Sequence, residues 1–293
     1  MKFYIVDAFT TSVFGGNPAG VVILPDGMDF PSDEIMIKTA AELRYSETAF
    51  IKNLGDGQFN IRYFTPAAEV DLCGHATIGS FKALLYAGVI EDNRRYINHT
   101  LAGDLEIAVK DGSILMDMAS PVKIDEITDT AALEELYGIM GLDYQEQKKA
   151  GVRLTPQMIS TGLPDIMMPV ASLEALDAIT PDFPALSKLS EKYEVVGVHA
   201  FTLDCGGKEG ETCHVRNFAP LYDIDEEAAT GTSNGALTYY GYLNGFIKAG
   251  DDCCFVQGEK MGRPSEIRSH IDAGCSVKVG GNAVILAEGE IYI

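Results

Sequence analysis

The sequence carries one motif twice, and this repeat constrains the fold more than any other feature. The first copy is Arg62-Tyr63-Phe64-Thr65-Pro66 and the second is Arg216-Asn217-Phe218-Ala219-Pro220. Each copy is followed by acidic residues, then by a glycine with small polar neighbours (Gly74 or Gly231), and then by a helix-like segment. The repeat predicts two related halves that face each other across a cleft, with one helix N-terminus contributed by each half.

The two predicted helices follow the glycines directly. Apolar spacing places the first from about residue 76 to 87, with Gly88 as its stop, and the second from about 233 to 243. A helix N-terminus carries a partial positive charge and ready N–H donors, so it suits a carboxylate or a developing enolate. Finding the same arrangement twice favours a binding role over two ordinary helix starts.

The remaining pattern predicts an α+β protein rather than a parallel α/β one. Short alternating segments are typical of meandering strands, and a hairpin is expected around Lys110-Asp111-Gly112-Ser113. Ser32 is the expected cap of a further helix that reaches Leu43. The composition changes after residue 118, which predicts an N-terminal domain over 1–118 and a C-terminal domain over 119–282.

Charge and cysteine content exclude several classes of partner. Asp plus Glu number 43 against 22 Lys plus Arg, a net charge of −21, so nucleic acid or an anionic membrane surface is not an expected partner. The 6 cysteines show neither C-x-x-C spacing nor a matching pair of histidines, so no metal site and no disulfide framework is expected. These features predict a reduced, cytoplasmic protein. No G-x-G-x-x-G or Walker-type loop supports a nucleotide site.

Four residues near the predicted helix starts can carry proton chemistry. Glu47 stands where a predicted helix meets an apolar strand, and partial desolvation there would raise the pKa of its carboxyl toward a useful range. His75 follows Gly74 directly and titrates in the range that acid–base catalysis needs. Glu227 precedes the second glycine beside Glu226, and Cys73 is a possible thiol acid–base group whose counterpart in the second copy is Thr230.

With these residues assembled, the chain resembles the PhzF family of phenazine biosynthesis-like isomerases over essentially its full length. The segments that carry the resemblance are 7–9, 14–21, Ser46-Glu47-Thr48-Ala49-Phe50, 62–66, Cys73-Gly74-His75-Ala76-Thr77, 161–164, 216–220, Thr230-Gly231-Thr232 and Gly262-Arg263-Pro264-Ser265.

The resemblance implies the diaminopimelate epimerase-like fold, in which two pseudo-symmetric domains each curl a sheet around a central helix. It also implies that a final strand, at about 283–293, returns to the N-terminal domain. It also implies a cofactor-free, metal-free active site between the halves, a small carboxylic-acid substrate and a homodimer. In this family the glutamate matching Glu47 shuttles a proton, the histidine matching His75 lies beside it, and an acidic residue at the position of Glu227 contacts the substrate. The expected catalytic residues are therefore Glu47, His75 and Glu227. The expected substrate-binding residues are Asn17, Cys73, Gly74, Gly231, Thr232 and Ser233.

Three functions remain open from the sequence. The first is an isomerase in which Glu47 moves a carbon-bound proton while the helix starts hold the carboxylate or enolate. The second keeps the fold but uses Cys73 for epimerisation or dehydration, although Thr230 opposite Cys73 disfavours a two-thiol epimerase. The third is a protein that binds a small acid without catalysis, against which the presence of Glu47 and His75 argues.

Overall fold

The computed structural model describes all residues from Met1 to Ile293, and the chain divides into two compact units. Unit 1 contains Met1–Asp117 and Gly280–Ile293, and unit 2 contains Met118–Val279. The structure is of the α+β class, as the sequence predicts. None of the helices is long and apolar enough to span a membrane.

The strands, in chain order, are β1 (Lys2–Ala8), β2 (Asn17–Ile23), β3 (Thr48–Gly55), β4 (Gln58–Phe64), β5 (Glu69–Val70), β6 (Arg94–Thr100), β7 (Gly103–Lys110), β8 (Ser113–Asp117), β9 (Val122–Glu126), β10 (Gln157–Ser160), β11 (Pro164–Pro169), β12 (Gly197–Thr202), β13 (Cys213–Ala219), β14 (Ile224–Glu227), β15 (Asp252–Gln257), β16 (Ser265–Ile271), β17 (Val277–Gly281) and β18 (Ala283–Glu290). The α-helices are α1 (Asp33–Leu43), α2 (Gly74–Tyr86), α3 (Thr130–Ile139), α4 (Tyr144–Lys149), α5 (Leu173–Ala178), α6 (Phe183–Tyr193) and α7 (Gly231–Leu243). Two short 3-10 helices occur at Pro220–Tyr222 and Glu259–Met261.

Unit 1 is a mostly antiparallel sheet built around α2. Strand β1 pairs with β2 and β18, β2 continues in parallel to β3, and β3 pairs with β4. The sheet extends from β4 through β6 and β7 to β8, and the β7–β8 hairpin turns at Asp111 and Gly112, whose φ angles are both positive. Helix α2 packs against β1, β2, β3, β8 and β18 and is buried on nearly every side, which explains its weak amphipathic pattern.

Unit 2 repeats this plan around α7. Strands β9, β10 and β11 are antiparallel neighbours, β11 and β12 are parallel, and β12 pairs with β13. The sheet continues in parallel from β13 to β15 and then antiparallel to β16. Helix α7 packs against β10, β11 and β16, and a Cβ at Gly235 would come within 2.9 Å of Thr161 Oγ1. The glycine therefore lets the helix approach the sheet closely.

A second apolar core in unit 2 holds helices α3, α5 and α6 on the sheet. Its fully buried members include Leu136, Tyr137, Ile166, Leu186 and Val198. The Tyr137 hydroxyl donates to the carbonyl of Pro169 at 2.6 Å, so the one polar atom of this ring is satisfied inside the core.

The repeated motif forms the same local structure in both units. Arg62 forms a bidentate ion pair with Glu69, in which Nε and Nη2 lie 2.7 and 2.5 Å from the two carboxylate oxygens. Its guanidinium lies 5.1 Å from the centre of the Phe64 ring. Arg216 forms the same bidentate ion pair with Glu226, with both nitrogen–oxygen distances at 2.8 Å. Its guanidinium lies 4.9 Å from the ring centre of Phe218. The Arg and Phe of each motif are two residues apart and therefore lie on the same face of the strand. The acidic residue beyond the turn forms the ion pair with the arginine.

The structure corrects the starts of the two central helices. Both were expected to begin two residues after the glycine, but Gly74 and Gly231 are themselves the first helical residues, after Cys73 and Thr230 in extended conformation. Neither of these cap residues accepts a side-chain hydrogen bond from a main-chain N–H of its helix. The helix-start N–H groups therefore receive no acceptor from the cap side chain, which keeps them suited to binding an anion.

Candidate active site

Glu47 lies at the end of the segment that joins α1 to β3. Its main-chain carbonyl accepts a hydrogen bond from Gly20 N at 3.3 Å, which fixes the backbone beside β2. Its side chain is only 16% exposed, and Oε2 is buried without a hydrogen bond. The same oxygen lies 3.2 Å from His75 Nε2. The carboxylate is thus largely buried beside the imidazole, with one oxygen that no hydrogen bond satisfies.

His75 is the second residue of α2 and is buried. The Asn17 amide donates to Nδ1 at 3.2 Å, which puts the proton of a neutral imidazole on Nε2. Nε2 lies 3.3 Å from the Ser46 hydroxyl and faces the Glu47 carboxylate. Burial lowers the pKa of His75, and the negative charge of Glu47 opposes this effect. The imidazole is therefore a neutral N–H donor beside the carboxylate at neutral pH.

Cys73 completes the cluster from the cap position of α2. Its Sγ lies 3.4 Å from His75 Nδ1 and 3.8 Å from His75 Nε2. Each of the three side chains, those of Glu47, Cys73 and His75, offers one ligand atom, and these atoms all lie within 4.8 Å of one another. The structure therefore gathers a thiol, an imidazole and a carboxylate at the start of α2.

The start of α7 is built on a buried polar network. Ser233 Oγ donates to Asp165 Oδ2 through a short hydrogen bond and accepts from Asn217 Nδ2 at 3.2 Å. Asn217 also donates to His199 Nδ1, and His199 Nε2 meets the side-chain oxygen of Asn234 at 3.4 Å. Burial raises the pKa of Asp165 to about 6 and lowers the pKa of His199 to about 3. The network thus fixes the first turn of α7 through Asp165 and His199, two groups whose burial disfavours their charged forms.

The network continues to Glu227, which the structure separates from its neighbour Glu226. Glu226 is bound to Arg216 and so is structural. Glu227, at the end of β14, accepts a hydrogen bond from the Thr230 hydroxyl at 2.9 Å. Gln257 donates to Glu227 O at 2.7 Å and to Thr230 Oγ1 at 3.1 Å. The Glu227 side chain is therefore held beside the start of α7.

The predicted site residues fall into two groups. In unit 1 the structure brings together Glu47, His75, Asn17, Cys73 and Gly74. In unit 2 it gathers Glu227, Gly231, Thr232 and Ser233 around the start of α7. The Ser233 hydroxyl is engaged within the protein, so only its main chain is left to meet a ligand.

Sequence reasoning missed several residues of both groups. Ser46 precedes Glu47 but was not chosen, although its hydroxyl contacts His75. Asp165, His199 and Gln257 lie far from the motifs in sequence and reach the start of α7 only through strand pairing. The signal that was present is Asp165 directly after Thr161-Gly162-Leu163-Pro164, a segment that carries part of the resemblance.

Comparisons with known proteins show the family to which the chain belongs. The family model described as phenazine biosynthesis-like protein, PhzC-PhzF, matches residues 6–289. The chain is 32% identical to an uncharacterized isomerase of Clostridium acetobutylicum, with 100% of this chain and 98% of the relative covered. It is 30% identical to trans-2,3-dihydro-3-hydroxyanthranilate isomerase of Pseudomonas chlororaphis, over 99% of each chain. The crystal structure of a PhzF family protein of Bacillus anthracis superposes with a TM-score of 0.85 at 26% identity, covering 100% and 99% of the two chains.

The fold and the relatives together define an enzyme of the isomerase class. The chain belongs to the phenazine biosynthesis-like, or PhzF, family.

Proposed function

We propose that the protein is a cofactor-independent isomerase that moves a carbon-bound proton of a small carboxylic acid, with Glu47 as the proton carrier. The observation that carries the proposal is the Glu47 carboxylate, whose buried Oε2 makes no hydrogen bond and lies 3.2 Å from His75 Nε2. An unsatisfied buried oxygen costs free energy, and transfer of a substrate proton to the Glu47 carboxylate offsets that cost.

The start of α2 supplies the electrostatic part of the mechanism. The main-chain N–H groups from Gly74 onward point out of the helix N-terminus, and no cap side chain accepts from them. They and the helix dipole bind the substrate carboxylate and stabilise the negative charge of an enolate-like intermediate. Since the protein carries a net charge of −21, a local positive potential of this kind is needed to hold an anionic substrate.

The proposed reaction uses one residue for both proton transfers. Glu47 removes a proton from carbon, and the electrons of the broken C–H bond form the enolate. Protonated Glu47 then returns the proton to a different carbon on the same face, so atoms and electrons balance without a redox step. Neutral His75 is held by Asn17 at Nδ1 and by Ser46 at Nε2, and it lies beside the carboxylate without adding a charge of its own.

The relatives suggest the first compound to test as substrate. Proteins of Pseudomonas chlororaphis and Pseudomonas fluorescens at 30% identity are named for isomerising trans-2,3-dihydro-3-hydroxyanthranilate. We extend to this chain the substrate class that the compound represents, a small carboxylic acid. Glu227, Gly231, Thr232 and Ser233 are proposed as further substrate contacts. The homodimer and the cytoplasmic location stay predictions.

A pair of glutamine variants tests the proposal. Glu47→Gln keeps the size of the side chain but removes the base, so kcat with an accepted acid is expected to fall by about 10²- to 10⁴-fold. Glu42→Gln is the matched control, because Glu42 is exposed on α1, and its kcat should equal that of the wild type. Equal rates in both variants would remove Glu47 from the reaction.

The contact between Cys73 and His75 favours one alternative, a thiol-dependent epimerisation or dehydration. Cys73 Sγ lies 3.4 Å from His75 Nδ1, and a neutral Nδ1 can accept the thiol proton. Cys73→Ser distinguishes the two routes. The Glu47 route predicts that this variant retains most of its kcat, whereas a loss larger than that of Glu47→Gln would favour the thiol.

A further inference from the structure

A second cluster of metal-ligating side chains lies in unit 2, in a part of the chain that the proposed reaction does not use. It is formed by Cys205, Glu211 and His214. Each residue offers one ligand atom, and these three atoms all lie within 4.8 Å of one another. Cys205 and Glu211 belong to the loop between β12 and β13, and His214 is the second residue of β13. We call these three residues the β13 cluster.

His214 is the fixed member of the β13 cluster. Its side chain is only 2% exposed. Nε2 lies 2.7 Å from Glu211 Oε2, and Nδ1 lies 2.6 Å from Oε2 of Glu259, which is in a 3-10 helix. A neutral imidazole has a single N–H and can donate to only one of these two carboxylates. A cation between Nε2 and Glu211 therefore leaves Nδ1–H free to donate to Glu259.

This arrangement matches the way that histidine binds metal ions in proteins. A ligating histidine usually donates its second N–H to a carboxylate, which fixes the tautomer and the ring orientation. Glu259 occupies that second position, and the β13 cluster supplies a thiol, an imidazole nitrogen and a carboxylate oxygen. This mixed set of donors suits Zn²⁺ rather than Ca²⁺ or Mg²⁺, which prefer oxygen alone.

The dimensions require only small adjustments. Ligand atoms at about 2.1 Å from a tetrahedral zinc ion lie about 3.4 Å apart, so Glu211 Oε2 and His214 Nε2 must separate by less than 1 Å. The Cys205 thiol lies in a loop with positive φ at Gly206, Gly207 and Gly210, which gives its backbone freedom to adjust.

Lys208 is the cation that pairs with these carboxylates, and it does not block the site. Its Nζ lies 3.5 Å from Glu211 Oε1 and 3.9 Å from Glu259 Oε1, and its side chain is 58% exposed. A side chain this exposed can move into solvent when a doubly charged ion enters.

We propose that the β13 cluster is a Zn²⁺ site in which Cys205 Sγ, Glu211 Oε and His214 Nε2 are the ligands, Glu259 orients His214, and water completes the coordination. On binding, the Cys205 thiol releases its proton to solvent and the thiolate forms the bond to zinc. The ion joins the loop between β12 and β13 to the start of β13. We therefore expect it to be structural, separate from the chemistry at Glu47.

Cobalt is the spectroscopic probe for this proposal. The full chain, freed of metal with EDTA, is titrated with CoCl₂ and then with ZnCl₂. Equimolar Co²⁺ should give tetrahedral d–d bands and a thiolate-to-cobalt charge-transfer band, which zinc then abolishes. Zinc should also raise the melting temperature of the wild type. Absence of the bands would overturn the proposal.

Three variants locate the ion. Cys205→Ser should lose the charge-transfer band, and because Cys205 is partly exposed this variant is expected to fold, which circular dichroism verifies. Cys73→Ser is the matched control, since Glu47, Cys73 and His75 form the other cluster of this kind, and it should keep the band. Glu259→Gln should keep the band but weaken zinc affinity by about 10- to 100-fold. A band that survives Cys205→Ser, or that is lost in Cys73→Ser, would overturn the assignment.

Discussion

The Glu47–His75 pair shows how local burial makes ordinary residues suited to proton transfer. A glutamate and a histidine on a surface would be solvated and hydrogen-bonded to water. Here burial lowers the pKa of His75, and the buried Glu47 Oε2 makes no hydrogen bond. An uncompensated polar atom costs free energy in a folded protein, so it is often found where a ligand supplies the missing partner.

The buried histidine of unit 2 gives a prediction for the pH dependence of stability. His199 is fully buried and its pKa is about 3, whereas that of an unfolded histidine is about 6.5. Between these values the unfolded chain binds a proton that the folded chain does not, so His199 removes stability as the pH falls. The free energy of unfolding of the wild type, relative to His199→Gln, should therefore rise by about 1.4 kcal/mol per pH unit from pH 4 to pH 6.

Urea unfolding of both proteins across this pH range measures the difference. Asp165, whose raised pKa acts with the opposite sign, is present in both proteins, so its contribution is common to the two curves. A constant difference between the curves would contradict the assignment of a neutral buried His199.

At the scale of the element, the start of α2 can be tested one N–H group at a time. Proline is tolerated at the first helical position, and Cys73 already has the extended conformation (φ −139°, ψ 115°) that precedes a proline. Gly74→Pro should therefore fold but lose one donor to the substrate carboxylate. A hydrogen bond to a charged group contributes about 1.5–3 kcal/mol, so KM is expected to rise by about 10- to 100-fold.

Gly74→Ala is the control for this change, because it adds a Cβ and keeps the N–H. The same pair of substitutions at Gly231, whose preceding residue Thr230 is also extended, tests the prediction that the start of α7 binds the substrate. Equal KM values for the alanine and proline variants at either glycine would exclude that helix start from binding the carboxylate.

The repeated arginine motif predicts unequal stability costs in the two units. Arg216 pairs with Glu226, donates to the carbonyls of Leu176 and Ile179, and has a side chain only 9% exposed. Arg62 has a side chain 22% exposed and pairs with Glu69 and Asp33. Because removing one partner of a buried pair leaves a charge uncompensated, Arg216→Met should cost about 3–5 kcal/mol of unfolding free energy.

Arg62→Met should cost clearly less, because water can solvate the carboxylates that it leaves behind. Chemical denaturation monitored by circular dichroism compares the two variants. Equal losses would contradict the view that the main-chain contacts of Arg216 and its deeper burial distinguish the two copies.

At the scale of the whole molecule, the two units share a framework but differ in their chemistry. Each has an Arg–Phe–acid motif followed by a buried central helix of 13 residues. At the second helical position, α2 has His75 facing a carboxylate, whereas α7 has Thr232. The duplication therefore provides two helix starts, and the one in unit 1 places an imidazole of the helix itself 3.2 Å from a carboxylate oxygen, between His75 and Glu47.

Local patterns predicted the fold because they depend on neighbours in sequence. The cap at Ser32 and the turn at Asp111-Gly112 are each encoded within a few neighbouring residues. The exact helix starts were missed because a glycine was interpreted as a turn, although it is also compatible with the first position of a helix.

The candidate site was less predictable because its supporting residues come from distant segments. Asn17 is 58 residues from His75, and Asp165 is 68 residues from Ser233, yet each pair is in contact. Glu226 and Glu227 are equivalent in sequence, and only the pairing of β14 with β13 shows which one Arg216 binds. Such contacts depend on strand register, which a single sequence does not fix.

Deuterium exchange from the solvent measures directly whether Glu47 removes a proton from carbon and returns it. The wild type, Glu47→Gln and Cys73→Ser are incubated in D₂O with trans-2,3-dihydro-3-hydroxyanthranilate or another accepted small acid, and mass spectrometry and NMR locate the deuterium. We expect deuterium at the reacting carbon with the wild type and with Cys73→Ser. With Glu47→Gln we expect the rate of deuterium incorporation to fall by about 10²-fold or more. Incorporation at the wild-type rate in Glu47→Gln would contradict this role of Glu47.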